Sequence, residues 1–156
     1  MAESASEVTA TGKVPAIAVR VAELLIAALF IYAGVLKAFD PLGFANDIDN
    51  YKILPWAMAV RLAFFLPWLE VVCGLTILAR RYLHGSIAIL IALTGVFIAA
   101  SVIAKARGLD VSCGCFGHAA RNLSFAGHMV LDLAIFAALL FVWRFRTGAR
   151  RERVSA

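Results

Sequence analysis

Two thiols one residue apart, Cys113-Gly114-Cys115, followed by Phe116-Gly117, are the residues here best suited to chemistry. Glycine between the cysteines lets the backbone bend sharply enough to bring two sulfurs together. A disulfide closed over so short a loop departs from relaxed geometry and is easier to reduce. Strained, exposed disulfides tend to exchange rather than to staple. Two other uses stay open. The pair could be a static disulfide or free thiols tucking a loop onto the fold, or it could join His118 and His128 around a metal ion. Zinc asks for four N or S ligands, and Cys-x-Cys-x-x-His is not among its common spacings, so the block of residues is read as redox with no metal assigned. Phe116 and Gly117 would shape the loop, the ring anchoring it to apolar surface.

Cys73 is the third and last cysteine. It falls inside an apolar run, where a free cysteine behaves as a small hydrophobe. Membrane oxidases that form disulfides and hand electrons to quinone normally relay them between two cysteine pairs, and a second pair is not encoded here. A quinone is compatible with the redox reading, but no residue pattern points to one, and the cofactor stays unassigned.

The remaining chemistry is carried by charges in apolar surroundings. Glu70 lies within a hydrophobic run, and a carboxylate inside a membrane is costly and usually faces a partner in the bundle interior. Asp132 should sit at similar depth on the last span, with His128 one turn above it on the same face. Lys37 ends the first span. Together these four predict a polar cluster beneath the cysteine loop. A cation there would favour the thiolate, the attacking species, and structural hydrogen bonds between helices are the alternative role. Arg20 and Glu23, near the opposite end, read as an interfacial pair.

What must position these residues is a membrane bundle. Of 156 residues, 63% are hydrophobic and only 16% charged, against roughly half and a quarter in soluble domains, and the mean hydropathy is +0.89. The net charge of +5 comes from basic residues between apolar runs and at the C-terminus, not from one phosphate-binding face, so nucleic-acid binding is not expected. Four spans are expected, at about 16–39, 62–79, 86–104 and 124–143, giving an all-α, integral membrane four-helix bundle. Asp40-Pro41 stops the first span. Phe44, Ile48, Tyr51 and Leu54 then suggest a short amphipathic helix lying on the interface, and Pro67 should kink the second span. Residues 1–15 read as a disordered tail without the basic region of a secretory signal, and 144–156 as a basic cytoplasmic tail.

Orientation follows from the fifteen Lys and Arg residues. With both termini cytoplasmic, the inner side holds Lys13, Arg20, Arg80, Arg81, Arg144, Arg146, Arg150, Arg151 and Arg153, and the outer side the remaining six. This bias places the CGC loop in the periplasm, where disulfides form and persist.

Several stretches taken in order resemble the MauE family of methylamine utilisation proteins, within the wider DoxX-like group. They are Tyr32 to Pro41, Phe44 with Asn50-Tyr51 and Leu54-Pro55, Leu66-Pro67-Trp68-Leu69-Glu70 with Gly74, and Arg107-Gly108 with Cys113 to Gly117. The resemblance implies a four-helix protein of the bacterial inner membrane that supports maturation of methylamine dehydrogenase, whose small subunit is rich in disulfides. It implies a thioredoxin-like periplasmic partner or a client enzyme, with Cys113 and Cys115 as the redox motif and Glu70 as the intramembrane acid. The expectation is therefore a component of a thiol–disulfide oxidoreductase system. Two other readings compete: a non-enzymatic scaffold with structural cysteines, and a small transporter dependent on Glu70 and Asp132.

Overall fold

The computed structural model describes residues 16–108 and 125–154, all of whose regular structure is helical. Helix α1 spans Ala16–Phe39, α2 Pro41–Asn50, α3 Trp56–Leu78, α4 Leu83–Ala106 and α5 Phe125–Val154. Four of them contain stretches long and apolar enough to cross a membrane: Ile17–Phe39, Trp56–Leu78, Leu83–Ala106 and Ala126–Arg146. A 23-residue helix rises about 34 Å, enough for a hydrocarbon core of about 30 Å.

The break after α1 is local chemistry. Proline cannot donate to the preceding turn but suits the first turn of a new helix. Asp40 caps that helix, its Oδ1 accepting from the Gly43 amide at 2.9 Å. The apolar face of α2 does not simply rest on lipid. Phe44, Ala45 and Ile48 are buried against Ala59 and Ala63 of α3, so α2 closes one end of the bundle.

Three spans run longer than hydropathy suggests, α4 by three residues at its start and two at its end. Helix α3 starts at Trp56, directly after Pro55, and carries Arg61 as an exposed helical residue that can snorkel to the interface. Helix α5 continues past Trp143 to Val154, because Arg, Ala and Glu propagate a helix well after the apolar stretch has ended. Pro67 is accommodated within α3 and buried.

The helices alternate in direction and close a ring in which α1 packs on α3 and α5, and α4 on the same two. The α1–α3 seam is the most extensive, and glycines set its closeness. A Cβ at Gly34 would lie 2.7 Å from the Pro67 carbonyl oxygen and 2.8 Å from Val71 Cγ2. One at Gly74 would lie 2.7 Å from Ile31 Cγ1. Small residues at such crossings let helix backbones approach in lipid, where packing rather than water drives association.

Candidate functional site: a buried ion pair at the α2 end of the bundle

Gly34 sits opposite Glu70 across the seam, and Lys37 follows one turn later on the same face of α1. The Lys37 ammonium donates to both carboxylate oxygens of Glu70, at 2.7 and 2.8 Å. Each side chain is only 3% exposed. The ammonium also lies 5.1 Å from the Phe44 ring centroid and 5.5 Å from that of Phe97, within the range of cation–π attraction. Three elements thus hold one cation: α3 by charge, α2 and α4 by aromatic faces.

Beside the pair lies a cavity of about 30 Å³, lined by Lys37, Glu70, Thr94 and Asp132 among apolar neighbours that include Phe97 and Leu93. A space of that size and polarity suits one or two water molecules. Asp132 reaches it from α5 and is 4% exposed. His128, one turn earlier on α5, is equally buried but does not line the cavity, and its Nε2 has no hydrogen-bond partner among the described residues. Lys37, Glu70 and Asp132 therefore converge on one space, with His128 adjacent along the helix. Thr94 and Phe97 were not singled out by sequence, and Phe44 was, but for an apolar helix face and not for a cation. The only signal for Thr94 was a hydroxyl in an uncharged span, and for Phe97 an aromatic ring in the same span.

Cys113, Cys115, Phe116, Gly117 and His118 lie outside the described residues. Their described flanks are informative. Arg107, at the end of α4, donates to the Lys52 carbonyl at 3.4 Å, and the Tyr51 and Ser101 hydroxyls meet at 3.4 Å. Gly108 thus belongs to the end of the bundle that α2 closes, which is the Lys37 end of α1, and Phe125 opens the helix that brings Asp132 to the cavity beside Lys37.

The opposite end has its own ion cluster. Glu23 is 1% exposed and accepts from Arg20 at 3.1 Å and from Arg146 Nε of α5. It is a buried tie between α1 and α5, not an interfacial pair with Arg20 alone. There too the Thr76 and Ser86 hydroxyls meet at 2.6 Å across the α3–α4 turn. Cys73 lies between the two ends, free and buried in an apolar cluster with Phe30 and Ile77.

Comparison with known proteins gives one consistent result. A family model described as methylamine utilisation protein MauE matches residues 15–146. A methylamine utilization protein MauE from Methylophilus methylotrophus is 28% identical over 124 residues, covering 78% of this chain and 65% of that protein. No solved structure matches.

Proposed function

The chain belongs to the MauE family, and on that premise we propose a multi-pass protein of the bacterial inner membrane that exchanges disulfides through Cys113 and Cys115. Both termini lie in the cytoplasm and the CGC segment faces the periplasm. Its partner is a thioredoxin-like periplasmic protein or the client enzyme itself, such as the disulfide-rich subunit of methylamine dehydrogenase. In the exchange a thiolate attacks one sulfur of the Cys113–Cys115 disulfide. A mixed disulfide forms, and a second thiol of the partner displaces it, leaving two thiols here and one disulfide there. No net electron leaves the two proteins.

The observation that supports this reading is the placement of the Lys37–Glu70 pair at the end of the bundle from which the CGC segment departs and to which it returns. Thiolate chemistry is favoured by a nearby cation, and Lys37 is held at that end by Glu70 and two aromatic rings. Glu70 and Lys37 tune the pair, and Asp132 and His128 support them. Phe116 and Gly117 shape the loop.

Mass-tagged maleimide labelling of Cys113 and Cys115 in membranes, across a series of dithiol buffers, tests this directly. A reversible transition in the range of periplasmic oxidants is expected, and a trapped mixed disulfide then names the partner. A pair that stays oxidised below about −300 mV is structural, and the protein is then a scaffold for a maturation partner.

A further inference from the structure

A second cavity, far larger than the polar one, opens between α3, α4 and the end of α2. It measures about 640 Å³, and among the described residues lining it only Tyr51 carries a polar side-chain atom. Its α4 wall runs from Ile89 to Ile103, about 21 Å of helix, a large part of the depth of a hydrocarbon core.

An apolar groove of this length in a membrane suits any hydrocarbon chain. Its inner wall narrows the choice. Leu93 and Phe97 line both this groove and the small cavity that holds Lys37, Glu70, Thr94 and Asp132. These two side chains are thus common to the walls of the lipid-like space and of the cavity beside the buried ammonium and its two carboxyl groups. An acyl chain gains nothing from charged neighbours. A ring with carbonyl oxygens does, because it accepts hydrogen bonds and takes up protons. On the groove itself the polar point is the Tyr51 hydroxyl, in contact with Ser101.

We propose that the groove between α3 and α4 binds an isoprenoid quinone, its tail along α4 and its ring against Phe97. The electron balance gives this a purpose, and that step rests on the redox reading above. The chain has three cysteines, and Cys73 is buried and free, so no second dithiol within the chain can receive electrons from Cys113 and Cys115. Oxidising that pair breaks two S–H bonds and forms one S–S bond, releasing two electrons and two protons. A quinone takes up both, its two carbonyls becoming the hydroxyls of a quinol.

The test is photolabelling of the full chain in lipid nanodiscs with an azidoquinone, competed by decylubiquinone or by a naphthoquinone of equal tail length. Saturable labelling that maps to α3 and α4 is expected. Val96→Trp and Ala99→Phe fill the groove from lipid-exposed positions where a larger apolar side chain leaves the fold intact. Each should weaken competition by about tenfold or more. The Cys113→Ser/Cys115→Ser variant should bind quinone like the wild type, which separates this site from the thiol chemistry. Labelling no greater than in empty nanodiscs, or unaffected by the filled groove, overturns the assignment while leaving disulfide exchange untouched. So does a phospholipid that neither quinone displaces. Saturable binding alongside an inert cysteine pair upholds the site and removes the redox reading instead.

Discussion

The Lys37 ammonium sits between the two carboxylate oxygens of Glu70, at 2.7 and 2.8 Å, in a bundle interior where neither side chain reaches solvent. Desolvating such a pair costs several kcal/mol per ion, and mutual attraction only offsets that cost when both partners are present. Removing one partner strands the other. Glu70→Leu or Lys37→Met should each destabilise the protein by about 3–5 kcal/mol, whereas the double variant Lys37→Met/Glu70→Leu should recover most of that loss. Thermal unfolding of the four proteins in one detergent reads the cycle. Additive losses would mean that the pair does not act as a unit.

The glycine seam makes the ion pair reachable. Gly34→Ala places a methyl group 2.7 Å from a backbone oxygen, which a side-chain rotation cannot relieve. It should cost about 1–3 kcal/mol and weaken the Lys37–Glu70 contact by pushing α1 from α3. Gly85→Ala is the control, since nothing lies within 4 Å of its added Cβ. It should be neutral or stabilising by up to about 1 kcal/mol. Equal unfolding temperatures for the two variants would contradict the close-approach argument.

At the other end, Glu23 is shared by Arg20 and Arg146. Charged hydrogen bonds are worth about 1.5–3 kcal/mol each, and the arginines are partly exposed, so solvent screens them. Glu23→Gln should therefore lower stability more than Arg20→Gln or Arg146→Gln alone. Unfolding temperatures at two salt concentrations will show whether the order Glu23, Arg146, Arg20 holds.

What the sequence disclosed depended on whether the signal was local. Asp40-Pro41 ends α1 at Phe39, where hydropathy and turn chemistry coincide. Helix α5 outruns its apolar stretch because a helix of charged residues has no hydropathy signature at its far end. The periodicity of Phe44 and Ile48 announced an apolar face on α2, but lipid and a protein core ask for the same pattern, so its burial against α3 was not readable. Glu23 looked interfacial because Arg146 lies 123 positions away. Glu70 was conspicuous as a charge in an apolar run, yet the ring of Phe97 beside its partner was not, since aromatic residues are ordinary in such spans, and Phe44 showed only as part of an apolar face. The apolar groove carries no sequence signature, being a gap between helices.

The cysteines themselves give the sharpest prediction. Cys73 is buried in the apolar cluster, so it should resist maleimide in intact membranes and react only after denaturation. Cys113 and Cys115 should each take a tag once reduced. Under the redox reading, Cys113→Ser or Cys115→Ser abolishes maturation of the client enzyme, and Cys73→Ala leaves it intact. Stability must be checked alongside, because loss of maturation with loss of the protein says nothing about exchange. If the serine variants accumulate normally and still support maturation, the thiols are not the working groups. Should Glu70→Leu then remove function while the double variant with Lys37→Met restores stability but not activity, the buried carboxylate is itself the working group. That combination would favour transport through the polar cavity over disulfide exchange.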